Sequence, residues 1–164
     1  MKEYKFNEFN GDEFLEHIGV PSTYLKLRRL FMEQQGDFEK WPEMFKEFEE
    51  ENGKVPKRDE VSTSVSGKYM KIMLGKSELA RADDRLTYIV KVNKFDMTKS
   101  KDRLLCTGFM YYTGRKKSCL DSLVVIDVNE NNLNFREVNK IYELNEMEFN
   151  DIVNKYLNSI GIFL

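Results

Sequence analysis

Leu86-Thr87-Tyr88-Ile89-Val90-Lys91-Val92-Asn93 decides the fold. Leu86, Tyr88, Val90 and Val92 alternate with Thr87, Lys91 and Asn93. Successive side chains of a strand point to opposite faces, so this period of two predicts a half-buried β-strand. Downstream, Met97 to Asp102 reads as a polar loop and Leu104 to Tyr112 as a second strand. Thr113-Gly114-Arg115-Lys116 has the composition of a tight turn. Leu120 to Val128 is apolar on nearly both faces, which predicts a third strand in a central position. Asn129-Glu130-Asn131-Asn132 is another turn, and Phe135 to Leu144 is a fourth strand. The connections are short. Parallel strands need long crossovers, so the pairing is expected to be antiparallel.

Helical signals flank this sheet. Asn145-Glu146-Met147-Glu148 resembles a capping box, and the helix after it places Phe149, Ile152, Val153, Tyr156, Leu157 and Ile160 on one face. Upstream, residues 62–83 are open between strand and helix, with Lys68 to Leu74 favouring strand. A helix is expected from Pro42 to Asn52-Gly53, with Trp41, Phe45 and Phe48 on one stripe. Asn10 caps a shorter helix carrying Phe14, Leu15, His17 and Ile18, and Gly19 stops it. Pro21 opens the next helix, and Lys57 to Val61 begins a further one. The expected architecture is α+β in one domain spanning 1–164. Residues 1–61 are mainly helical, 62–144 form an antiparallel meander of about four strands, and 145–160 form a packed helix.

Composition narrows the class. The 164 residues are 41% hydrophobic and 33% charged, which is globular composition. No apolar run is long enough to span a bilayer, and the N-terminus has no secretory pattern, so a cytoplasmic protein with no membrane partner is expected. Cys106 and Cys119 are too few for a disulfide framework and read as ordinary thiols. The net charge of −2 counts against a dedicated nucleic-acid binder. Phe, Tyr, Met, Ile, Asn and Lys are abundant, whereas alanine occurs only at 80 and 82. That bias points to an AT-rich genome, such as a low-GC bacterium, its phage or a mobile element.

Catalytic and metal-binding patterns are weak. His17 is the one histidine, and it lies in a short amphipathic helix. Gly75-Lys76-Ser77 resembles the end of a phosphate-binding loop, but Met70 stands where that motif needs glycine. Asp127, Asn129 and Asn131 start like a calcium loop, but Asn132 and Val138 occupy its required Gly and Glu places. No catalytic residue, metal ligand or cofactor is therefore assigned. A hydrolase or nuclease with a carboxylate-bound metal stays as an alternative, because carboxylates that meet in space leave no mark on the sequence.

Three surfaces remain. Between Asp37 and Glu51 stand seven acids and two lysines. Glu39, Glu43, Glu47 and Glu50 form an acidic ridge that fits a basic protein partner or imitates DNA phosphates; a solvated helix face is the other reading. Arg115, Lys116 and Lys117, with Tyr111 just before them, offer phosphate and base contacts to a nucleic acid. The other reading there is a soluble turn. Ser159-Ile160-Gly161-Ile162-Phe163 resembles the apolar peptide by which bacterial replication proteins dock on the sliding clamp, with Ser159 in place of the usual Gln. Ile160, Ile162 and Phe163 would carry that docking, or pack in the core. Phe48 to Val61 resembles the entry to a helix-turn-helix, where one helix ends at Gly53 and the next opens after Pro56. The leading expectation is a non-enzymatic binding protein of phage or mobile-element type that inhibits a host or defence macromolecule by protein contact. Nucleic-acid binding through the basic hairpin is the alternative.

Overall fold

A computed structural model describes residues 1–33, 38–75, 85–98, 101–113, 118–119, 123–129 and 131–159. The chain opens with strand β1 (Lys2–Tyr4), then helices α1 (Gly11–His17), α2 (Ser22–Glu33), α3 (Trp41–Asn52) and α4 (Arg58–Val65). A 3-10 turn, Phe38–Lys40, precedes α3. Strands β2 (Tyr69–Leu74), β3 (Arg85–Thr98), β4 (Lys101–Thr113), β5 (Ser118–Cys119), β6 (Val124–Val128) and β7 (Val138–Leu144) follow, and α5 (Glu146–Ser159) closes the order.

The α+β expectation holds, and the local signals behind it are visible. Asn10 accepts the amide of Glu13 and caps α1. Gly19, at φ 115°, takes the left-handed conformation that ends that helix. Asn145 and Glu148 bond each other's backbone amides at 2.8 and 3.2 Å, a reciprocal capping box that starts α5.

All pairings are antiparallel, in the order β1-β7-β2-β3-β4, with β5 and β6 sharing the outer edge of β4. The meander runs from β2 to β6. β7 then crosses back to pair with β2, which is a Greek-key return. β1, three residues long, adds to β7.

Several expected boundaries differ. The polar segment 97–102 is mostly strand, because β3 reaches Thr98 and β4 starts at Lys101. A register shift between Val92 and Lys94 absorbs the extra residue and lets pairing continue. The last strand starts at Val138, not Phe135. Residues 58–65 are helix and 69–74 strand, so α4 carries the helical part beyond residue 61.

Burial corrects two further readings. β3 is buried on both faces from Leu86 to Val90, where even Thr87 is 1% exposed, and the expected alternation holds only beyond it, with Val92 buried and Asn93 exposed. Helices cover both its faces. On one, Phe14 of α1, Ile18 at its C-cap, and Val61 and Val65 of α4 meet Met70, Ile72, Val90 and Leu104 in one cluster. On the other, Phe149 of α5 lies 4.8 Å from Tyr69, and Tyr156 stacks on Phe109 at 4.0 Å. β3 and β4 approach so closely that a Cβ at Gly108 would collide with the Ile89 carbonyl oxygen. The strand read as central, β6, instead lies at the edge. Val124, Ile126 and Val128 are buried, but Leu123 is 62% and Val125 41% exposed.

Candidate functional site

The acidic ridge lies on α3 and the turn before it. Glu39, Glu43, Glu47 and Glu50 are all exposed. The helix exists because Pro42 suits its first turn and Gly53, at φ 88°, ends it. Its attachment is narrow. Phe48 is its one buried residue, and Trp41 stacks on Phe31 at 5.1 Å. Phe45, expected on the buried stripe, is 37% exposed. Glu49, between the ridge acids, accepts the Val55 amide at 3.4 Å, which ties α3 to the link before α4. Among the described residues, none of the four ridge carboxylates has a cation within 4.0 Å.

The other two sequence-derived surfaces fall largely outside the described residues. Arg115, Lys116 and Lys117 lie there, between the antiparallel partners β4 and β5. Tyr111 is described. It is partly buried and 6.2 Å from Phe109, on the face that α5 covers. Ile160, Ile162 and Phe163 also lie outside the described residues.

The structure assembles groups that no sequence motif marks. Arg28 of α2 meets Asp102 of β4 at 2.6 Å and Asp12 of α1 at 3.4 Å. Arg29 also pairs with Asp12. Burial raises the Asp102 carboxyl above its ordinary range, and the Arg28 guanidinium only partly offsets this. Beside this cluster opens a cleft of about 420 Å³ lined by Tyr24, Arg58, Ser62, Ser66, Lys94 and Asp96, among others. Burial raises the Tyr24 phenol, while Arg58 and Arg28 pull it back. Two cations, Arg58 and Lys94, and two carboxylates, Asp59 and Asp96, line this cleft. It is polar but balanced, without the net charge of a dedicated ion site. Among the described residues, no three His, Cys, Asp or Glu side chains come together to hold a metal. Asp12 and Asp102 share the Arg28 guanidinium.

Other expected residues are engaged locally. His17 approaches Glu13 at 3.6 Å beside the rings of Tyr4 and Phe6. Cys106 is buried, and burial pushes its thiol up to about 12, far from a reactive thiolate at neutral pH. Asp127 binds Arg103 at 3.0 Å, and Asn129 bonds Asn132, so the residues that resembled a calcium loop hold a hairpin.

That hairpin ends in an unusual turn. Asn134 and Phe135 have φ of 48° and 62°, and Phe135 is 71% exposed. Leu133 and Arg136 exchange backbone hydrogen bonds at 3.1 and 2.9 Å around them. Positive φ at both central residues is usually met by Asn-Gly, so Phe135 is held against its preference. Asn134 fixes the turn by accepting the Asp127 amide at 2.7 Å and donating to the Tyr88 hydroxyl at 2.6 Å.

Comparison with protein-family models, with curated proteins and with solved structures finds no match. No helix among the described residues is long and apolar enough to cross a membrane.

Proposed function

We propose that this chain is a non-enzymatic binding protein that regulates or blocks a basic partner protein through the acidic face of α3. Its composition fits a phage or mobile-element accessory protein acting in a bacterial cytoplasm. The supporting observation is the exposure of Glu43, Glu47 and Glu50 on a helix that buries one residue, with Glu39 exposed in the turn before it. A helix held by so little apolar contact owes little of its sequence to the core. Its carboxylates at 43, 47 and 50 recur at i, i+4 and i+7, a single stripe of negative potential. Like charges at that spacing cost a few tenths of a kcal/mol per pair, which is affordable without any compensating cation.

The stripe attracts a cationic surface and raises the encounter rate, and salt weakens both effects. Affinity capture from a low-GC bacterial lysate tests this. A stoichiometric protein recovered by the native chain is expected to be lost with the double variant Glu43→Lys/Glu47→Lys. Equal recovery by both chains removes the ridge from the account.

A further inference from the structure

We infer that the edge of β3 beside α4 receives an extended peptide segment of a partner protein as an added strand. β3 outruns its neighbour on this side. Its pairing with β2 ends at Lys91, opposite Tyr69. Val92 is the last residue bonded there: its amide donates to the Lys68 carbonyl at 2.7 Å, and its carbonyl accepts the Gly67 amide at 2.8 Å. From Asn93 to Asp96 the strand continues, paired with β4 alone. Among the described residues, no backbone group bonds the other side of that stretch. An unpaired strand edge beside a groove is the geometry that takes an added strand. Here Asn93, Lys94, Phe95 and Asp96 line the cleft of about 420 Å³ together with Arg58 and Ser62 of α4.

The chemistry of the cleft selects the occupant. Its two cations and two carboxylates cancel, so no net charge marks it for an ion. What the stretch offers is a row of backbone donors and acceptors, and the complement of such a row is another backbone. Side chains then set which segment fits. Lys94 and Asp96 lie two residues apart beyond the register shift, so they share one face of the strand. Phe95 points to the other face, where it is buried. Charged edge residues deter unselective pairing. They admit a segment whose charges are complementary. Every pairing in this sheet is antiparallel. An added strand in that orientation sets a cation opposite Asp96 and, two residues on, an anion opposite Lys94. The residue between them lies opposite Phe95 and is apolar. The partner segment is therefore basic, apolar, acidic in chain order. This surface is separate from the α3 stripe and does not depend on it.

Amide chemical-shift titration of the full chain with the blocked peptide Thr-Lys-Val-Glu-Thr tests this. Binding is expected to shift the amides from Asn93 to Asp96 and to slow their exchange with solvent. The charge-swapped peptide Thr-Glu-Val-Lys-Thr is expected to bind roughly fivefold more weakly. The first peptide N-methylated at Lys, Val and Glu loses its backbone donors and is expected not to bind. Lys94→Glu, at an exposed site, is expected to remove the preference between the two charged peptides. The peptide comparisons on the native chain stand should that variant not fold. Unshifted amides from Asn93 to Asp96 at millimolar peptide overturn the inference. So does a swapped or N-methylated peptide that binds as tightly as the first or tighter, or a preference that survives Lys94→Glu.

Discussion

Arg28 and Asp102 meet at 2.6 Å and join α2 to the start of β4. The pair lies mostly out of water, so each charge depends on the other. Arg28→Ala leaves Asp102 desolvated and is expected to cost about 1–3 kcal/mol, read as a lower urea midpoint at neutral pH.

The same carboxyl gives a pH dependence. Burial raises its folded-state value above that of the unfolded chain. The folded state therefore holds the proton more tightly. Its contribution to stability is complete below the ordinary carboxylate value and is lost as pH rises through the raised value. Asp102→Asn cannot titrate. The stability of the native protein minus that of the variant is expected to fall as pH rises across this window, in paired urea melts. A difference that rises with pH would show that Arg28 outweighs burial.

Phe135 at φ 62° is a local penalty that glycine relieves. Phe135→Gly creates the Asn-Gly pair that such a turn prefers, and is expected to raise stability by about 0.5–1 kcal/mol. A higher melting temperature checks this.

Asn145 carries one half of the capping box of α5. Asn145→Ala is expected to cost about 1 kcal/mol. Hydrogen exchange should show fraying confined to the first turn of α5.

What the sequence revealed and what it hid divide by range. Asn10 with Glu13, Asn145 with Glu148, and Gly53 are signals that act within four residues, and each is used as read. The exposed stripe from Glu43 to Glu50 follows from helical spacing alone. Topology is different. The apolar run of β6 has the same letters at the centre of a sheet or at its edge. Only the return of β7 to β2 decides which. β1 was missed because three residues carry no period, and its partner β7 is at the other end of the chain. Asp12, Arg28 and Asp102 likewise come from three distant elements, and no spacing rule links them. Phe135 read as the start of a strand, because an aromatic beside Asn134 gives no warning of a left-handed turn.

Phe109 anchors the layer that α5 adds, through its stack on Tyr156 at 4.0 Å. Phe109→Ala is expected to cost about 3–5 kcal/mol, the usual loss for a buried aromatic. Calorimetry is expected to show one cooperative transition at lower temperature, as for a small single domain.

In the proposed function, partner binding depends on the charge of α3. The decisive measurement is the dissociation constant of the captured partner for the native chain and for Glu43→Lys/Glu47→Lys, each across a salt titration. The double reversal is expected to weaken binding by roughly tenfold or more at low salt, about 1.4 kcal/mol per tenfold, and to leave folding stability within about 0.5 kcal/mol of the native value. The native complex should weaken as salt rises and the variant should lose most of that dependence. Equal affinities with equal salt slopes would contradict it.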